Sequence, residues 1–152
     1  MKWTSSYKSF KKKEFERIGS PTQTFSIRNL ENAGELVFED SNFNTRHFLV
    51  QSLSIHTPSE HKFEGERRAA EVQFLNYGVK ADGSVDPEQV AILAVTFEES
   101  EEAVSSDLGS EFIKALTINS KLDLTHVSFS QMPMLMTQLE KGNFFNYEGS
   151  LT

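Results

Sequence analysis

The sequence contains no cysteine and no long run of apolar residues. Without cysteine the chain cannot form a disulfide bond or a thiolate zinc site, so any metal ion would need His, Asp or Glu ligands. A membrane-spanning helix needs roughly 18–20 consecutive apolar residues, and residues 1–13 lack the apolar stretch and cleavage site of a secretory signal. We therefore expect no membrane insertion and an intracellular location, with the cytoplasm and an organelle such as the mitochondrion both open.

Basic residues are scarce over most of the chain. The sequence has 15 Lys and Arg against 22 Asp and Glu, which gives a net charge of −7. Residues 1–17 carry +4, so the remaining body carries −11 and would repel a phosphate backbone. We expect no nucleic-acid partner. The basic arm, residues 1–23, is interpreted as a solvated terminus, with docking to an acidic partner or organelle targeting as the alternatives.

The 152 residues, 38% of them hydrophobic, are sufficient for one globular domain with a substantial core. Short apolar or alternating segments separated by turn residues predict a mainly β fold, with strands at residues 25–27, 36–38, 48–55, 71–77 and 90–97. Turn residues occur at 32–34 and 81–84. The uniformly apolar segment 90–97 predicts a central strand covered on both faces, and the apolar spacing in 107–117 predicts a helix.

Two segments are more specific than the strand pattern. One reads His56-Thr-Pro-Ser-Glu-His61 and is followed ten residues later by Glu71, and the other reads Asn146-Tyr-Glu-Gly-Ser-Leu-Thr152. Together they resemble the alpha-class carbonic anhydrases. In that family an H-x-H pair precedes T-P-S-E-H, a second strand reads A-E-x-H-x-x-H, and a Y-x-G-S-L-T segment brings a threonine to the metal.

The resemblance implies an α+β, mainly β fold in which a large twisted central sheet carries a few peripheral helices. It also implies a zinc site, where three neutral imidazoles hold Zn²⁺ and a metal-bound water with a pKa of about 7 attacks carbon dioxide. The three ligand positions fall on Ser54, His56 and Gln73. A hydroxyl and an amide oxygen are weak neutral ligands, so we expect neither a catalytic zinc nor another cofactor.

Other positions around this site also differ from the family pattern. The glutamine that orients the first ligand falls on Ser52, the proton-shuttle histidine falls on Glu35, and the second histidine of A-E-x-H-x-x-H falls on Asn76. Part of the outer shell is retained, because the family residues that orient the zinc hydroxide and support the third ligand match Glu60, Thr152 and Glu71.

Without a metal ion, the retained acidic residues need other partners. Buried carboxylates must find hydrogen-bond donors, so we expect His56, Glu60 and Glu71 to form a buried polar cluster. Its remaining donors would be His61, Gln73 and Ser54. We favour this structural role of His56 over metal ligation, and a rearranged metal site of His56, His61 and a carboxylate is the alternative.

Domains of the family are longer than this chain at both ends. The sequence therefore predicts a partial domain, residues 24–152, with open sheet edges and uncovered apolar surface. The 13 phenylalanines and the methionine-rich segment 132–136 add apolar side chains, which we interpret as core filling, with a partner interface as the alternative. We expect other protein subunits to cover these edges, among them a second carbonic-anhydrase-like chain.

The substituted ligands favour one function over two others. We predict a catalytically inactive carbonic-anhydrase-like protein that acts as a structural or interaction subunit of a larger assembly. The alternative is an active zinc-dependent carbonate dehydratase with a rearranged metal site, and a third hypothesis is a pocket that binds a small ligand or an anion. No G-x-S-x-G motif or phosphate-binding loop supports another enzyme class, and no spacing of serine and histidine predicts a catalytic triad.

Overall fold

A computed structural model describes residues 2–7, 14–18, 24–28, 33–99 and 132–149. Within these ranges the chain forms one helix, α1 (Met132–Leu139), and nine strands. The strands are β1 (Lys2–Ser5), β2 (Glu14–Ile18), β3 (Thr24–Arg28), β4 (Glu35–Glu39), β5 (Thr45–His56), β6 (Lys62–Phe63), β7 (Glu66–Arg67), β8 (Ala70–Val79) and β9 (Val85–Phe97). The mainly β prediction is confirmed. None of the helices described in these ranges is long and apolar enough to cross a membrane.

Seven strands form one antiparallel sheet around β5. Strand β8 pairs along one edge of β5, while β4 pairs with the first half of the other edge and β3 with the last part. Strand β1 adds to β4, β2 adds to β3 and β9 adds to β8. The predicted turn at residues 81–84 joins β8 to β9, and its Gly83 has a φ of 83°, a conformation that glycine adopts without a steric penalty.

An irregularity in β5 decides which side chains face the core. Phe48 and Val50 are buried in the first half of the strand, whereas Leu53 and Ile55 are buried in the second half. The pairing with β8 shifts register between Val50 and Ser52, and an extra residue in a strand inverts the alternation of side chains beyond it. The bulge therefore places Ser54 on the face opposite the core.

The core lies against the other face of β5 and β8. Val72 and Phe74 of β8 are almost fully buried beside Leu53 and Ile55, and burial of such apolar area is the main force that stabilises a fold. Helix α1 was not predicted, but the segment's expected core-filling role is confirmed for its buried Leu135 and Met136.

The predicted basic arm supplies part of this sheet. Strand β2 pairs with β3 across the expected boundary at residue 23, and β1 pairs with β4. Trp3 and Tyr7 are buried, and the Tyr7 ring stacks on Phe74 with the centroids 5.1 Å apart. The expectation of a solvated terminus is therefore wrong for these residues, because two large aromatic side chains outweigh the lysines around them.

Strand β9 is less buried than its composition suggested. Within the described ranges it pairs with β8 alone, Ile92 is 42% exposed and Ala94 is exposed, while Val95 is buried. The expectation of cover on both faces is wrong for Ile92 and Ala94, because an apolar run does not by itself distinguish a covered from a half-covered strand. The predicted helix at 107–117 and Thr152 lie outside the described residues.

Candidate functional site

The strand register brings together four of the predicted site residues. Strands β5 and β8 pair Ser54 with Gln73 and His56 with Glu71. Directly paired residues of antiparallel strands project their side chains from the same face of the sheet. The three positions that correspond to family zinc ligands, Ser54, His56 and Gln73, are therefore adjacent on the polar face.

The connection between β5 and β8 adds the next two residues, and Ser59 holds that connection in place. Ser59 is fully buried, its hydroxyl donates to the His61 carbonyl at 2.7 Å, and it accepts from the Arg68 backbone N–H at 2.8 Å. Arg67 donates from its guanidinium to the backbone carbonyls of Ser59 and Glu60. These contacts direct the Glu60 and His61 side chains toward β8.

Each nitrogen of the His56 ring lies close to a polar side chain of the site. Its Nε2 lies 3.2 Å from the Ser54 hydroxyl oxygen, and its Nδ1 lies 3.2 Å from Glu60 Oε1. His56 is only 7% exposed, whereas the Glu60 side chain is 44% exposed, so the ring itself is buried and its contact with Glu60 lies at the surface. The ring is therefore held between a hydroxyl and a carboxylate.

Gln73 links the two carboxylates of the site. Its amide nitrogen donates to Glu60 Oε2 at 2.9 Å and to Glu71 Oε1 at 2.8 Å. Because an amide NH₂ group has two hydrogens, these two bonds use its full donor capacity. The amide thus provides one hydrogen-bond donor to each of the two neighbouring carboxylates.

Glu71 is the most buried carboxylate of the site. It accepts hydrogen bonds from the His61 backbone N–H at 2.9 Å and from His61 Nδ1 at 2.6 Å, in addition to the bond from Gln73. Burial opposes ionisation of Glu71, but the hydrogen bonds from His61 and Gln73 together outweigh it and hold the pKa of the carboxyl below its usual value. The Tyr147 hydroxyl contacts His61 Nε2 and extends the arrangement.

These seven side chains form one continuous polar network, which consists of Ser54, His56, Glu60, Gln73, Glu71, His61 and Tyr147. All bonds are matched when each histidine donates from Nδ1 to a carboxylate and accepts at Nε2 from a hydroxyl. The predicted cluster of His56, Glu60 and Glu71, with donors from His61, Gln73 and Ser54, is confirmed in its contacts. Its expected burial is wrong for Glu60, whose side chain is 44% exposed.

The donor set does not fit the zinc ion of the family. Zinc needs nitrogen, sulfur or carboxylate ligands, and the three ligand positions supply one imidazole, one hydroxyl and one amide. The Gln73 nitrogen points at both carboxylates, and a neutral amide nitrogen does not ligate a metal because its lone pair is delocalised into the carbonyl group. Among the described residues, no group of three or more His, Asp and Glu side chains has a metal-binding arrangement.

Asn76 lies on the core face of β8, away from the polar network. It is fully buried, accepts from the Tyr7 hydroxyl at 2.7 Å and donates to the carbonyls of Phe74 and Ala91. Burial raises the pKa of Tyr7 far above its usual value, and the Asn76 bond only partly opposes this effect. The pair satisfies polar groups inside the core.

Two other predicted positions are separate from the network. Glu35 pairs with His47 Nδ1 at 3.2 Å on an exposed part of β4 and β5. Ser52 lies on β5 two residues before Ser54 and pairs with Leu75 in the register. The structure thus gives neither residue a contact with His56 among its described hydrogen bonds.

Sequence reasoning missed two features of the site. Tyr147 belongs to the segment 146–152, whose resemblance assigns it no role, and the spacing of that segment gives no reason to place its hydroxyl on His61. The contacts of His56 with Ser54 and Glu60 were also missed. These residues are only two and four positions from His56, whereas the members of known catalytic triads are far apart in the sequence.

A comparison with protein families gave one match. The family model described as eukaryotic-type carbonic anhydrase matches residues 4–152, which is nearly the whole chain. A comparison with curated proteins gave no significant match. The match includes the last two residues of β1 and all of β2 as well as the two motif segments, so it covers most of the residues that the sequence had suggested as an arm.

Proposed function

Because the chain belongs to the eukaryotic-type carbonic anhydrase family, we propose that it is a member without zinc-dependent carbon dioxide hydration that acts as a structural or interaction subunit. The observation that carries this proposal is the Gln73 amide. It stands at the third ligand position and donates to Glu60 and Glu71. A zinc ion at the family position would need an imidazole there instead.

The retained carboxylates support a structural use of the former zinc site. Glu60 and Glu71 each receive hydrogen bonds from within the chain, so neither needs a cation to balance its acceptors. The polar network joins β5, β8, their connection and the segment that carries Tyr147. A network with matched donors and acceptors rigidifies the parts that it joins.

Exposed aromatic side chains support an interaction role. Phe145 is 86% exposed, and Phe144 and Tyr147 of the same segment are also exposed. Phe63 lies against Phe145 with ring centroids 6.3 Å apart, which extends this apolar surface to β6. Aromatic residues are enriched at protein interfaces, so we propose that another protein subunit covers this surface.

A second candidate is an active carbonate dehydratase with a rearranged metal site. Two imidazoles and two carboxylates are connected within the polar network, and these are groups that zinc accepts as ligands. Reaching a common metal would require His56 and His61 to break their present contacts with Glu60 and Glu71. The intact contacts therefore favour the first proposal.

The test of the metal proposal is to rebuild the family ligands. The double variant Ser54→His with Gln73→His restores three imidazoles, and we expect it to bind zinc tightly while the natural chain does not. The matched control is Ser52→His with Gln73→His, which places the imidazole two residues away on β5 and should not gain comparable affinity. Stoichiometric zinc and carbon dioxide hydration in the natural chain would overturn the proposal.

The assembly role is tested separately on the natural protein. We expect the chain to sediment within a particle far larger than its own 17.2 kDa, and Phe145→Ser to release it. Phe43→Ser is the control, because Phe43 is similarly exposed at 81% but belongs to a different turn. A monomer at its natural concentration would contradict the assembly role and leave the metal result standing.

A further inference from the structure

Three residues of the polar network lie in the order that nucleophilic catalysis requires. The Ser54 hydroxyl contacts His56 Nε2 at 3.2 Å, and Glu60 Oε1 contacts His56 Nδ1 at 3.2 Å. In serine-dependent acyl transfer, a hydroxyl nucleophile bonds to one imidazole nitrogen while a carboxylate holds the other. Both distances are within the reach expected of a nucleophile, a base and its orienting group.

The tautomer of His56 follows from its partners. The Gln73 amide already donates to the second oxygen of Glu60, and a His56 Nδ1–H that faces the first oxygen gives this carboxylate a second donor. The lone pair of Nε2 then faces the Ser54 hydroxyl and can accept its proton. Glu60 is itself restrained, because its second oxygen accepts from Gln73 and its backbone carbonyl accepts from Arg67.

The nucleophile of this triad is more exposed than its base, as access of a substrate requires. Ser54 is partly exposed, whereas His56 behind it is buried. The nucleophile is thus open to a reagent, while the imidazole of the base is shielded from solvent and the carboxylate behind it is partly exposed. If Ser54 only provides a hydrogen-bond partner for His56, its hydroxyl should be no more reactive than that of an ordinary serine.

We propose that Ser54 is a nucleophile for carboxylic esters, with His56 as its general base and Glu60 as the positioning residue. Ser54 Oγ bonds to the acyl carbon while its proton moves to His56 Nε2. The ester C–O bond breaks and the alcohol leaves with that proton. Water then adds to the acyl carbon while His56 Nε2 accepts its proton, the bond between this carbon and Ser54 Oγ breaks, and the proton returns to Oγ as the carboxylic acid leaves. This inference rests on the part of the proposed function that leaves the site without zinc.

The test uses the full chain, freed of metal by a chelator and checked by metal analysis, and a fluorophosphonate reagent. Ser54 Oγ would form a bond to phosphorus and fluoride would leave, so mass spectrometry of peptides identifies the modified residue directly. We expect modification of Ser54 in the natural chain and none at that position in Ser54→Ala. Ser52→Ala is the matched control on the same strand and should react at the natural rate.

The roles of His56 and Glu60 need readouts beyond loss of reaction. We expect His56→Gln to slow modification at least about 100-fold, the range that general-base catalysis contributes. Glu60→Gln should shift the pH profile of the modification rate, and Glu60→Asp should restore much of the natural profile. Circular dichroism and urea unfolding of each variant show whether it is folded, and the site mapping on the natural chain does not depend on any variant.

Two results would overturn the inference. One is a folded, metal-free natural chain whose Ser54 stays unmodified, and the other is Ser54 modification that proceeds equally fast in folded His56→Gln. Zinc retained by the untreated chain would instead refute the proposed function, so the two failures are distinguishable.

Discussion

The two faces of the β5–β8 pair meet different physical requirements. The core face needs apolar volume and supplies Leu53, Ile55, Val72 and Phe74. The opposite face needs matched donors and acceptors and supplies Ser54, His56, Glu71 and Gln73. The same two strands therefore carry a fold shared with the family on one side and a donor set that does not fit zinc on the other. The fold and the site chemistry are thus carried by different residues of one pair of strands.

The largest expected effect comes from the core face. Phe74→Ala removes a ring that is 1% exposed and stacked on Tyr7, and such truncations cost about 3–5 kcal/mol of unfolding free energy. Urea unfolding followed by circular dichroism measures the change. The control is Ile92→Ala on β9, which is 42% exposed and should cost less than about 1 kcal/mol. Equal losses for the two variants would contradict the assignment of the faces.

The next effect concerns the polar face and depends on pH. Glu71→Gln removes a buried carboxylate with three hydrogen-bond contacts and should cost about 1.5–3 kcal/mol at neutral pH. The pKa of Glu71 is lower in the folded chain, so its contribution is present above the unfolded value of roughly 4.3 and is lost as the pH falls through the folded value.

The stability difference between Glu71→Gln and the natural chain should therefore shrink in acid. Urea unfolding at pH 7 and at the most acidic pH where both chains still fold measures it. Glu66→Gln, an exposed carboxylate on β7, is the control and should have no such dependence. A difference that grows in acid would show that Glu71 is not held ionised by its hydrogen bonds.

A smaller effect is expected for the polar pair inside the core. Tyr7→Phe removes the hydroxyl that donates to Asn76 and leaves the buried Asn76 oxygen with one partner fewer, at a cost of about 1–2 kcal/mol. Fluorophosphonate modification of Ser54 should proceed at the natural rate in the folded variant, because Asn76 lies on the opposite face. A large change in that rate would show that the two faces of the sheet are functionally coupled.

The smallest effect is expected outside both faces. Glu35→Ala breaks an exposed contact with His47, and such pairs contribute about 0–1 kcal/mol. Urea unfolding should show a change below about 1 kcal/mol, and the pH profile of Ser54 modification should not move. A shifted profile would indicate that Glu35 exchanges protons with the site.

The sequence predicted the strands of the sheet better than their surroundings. Short apolar or alternating segments located β3, β4, β5, β8 and β9, because both patterns are typical of strands that are buried on one or both faces. It could not locate the bulge near Gln51, which has no sequence signature here and yet determines the face of Ser54. It also missed β1, because the lysine-rich composition concealed the burial of Trp3.

The sequence predicted which residues form the site but not which hydrogen bonds they make. The resemblance brought Ser54, His56 and Gln73 together, and the strand register confirms that they are adjacent. Whether Gln73 turned its amide toward the carboxylates depends on side-chain torsions that a pattern does not encode. The position of Tyr147 on His61 likewise depends on how the chain after α1 returns to the sheet.

The central claim is that Ser54 and Gln73 deprive the family site of zinc. The most direct measurement is the metal content of the protein isolated from its source without chelators, determined by elemental mass spectrometry. We expect zinc far below one ion per chain. Stoichiometric zinc that is lost in His56→Gln would contradict it.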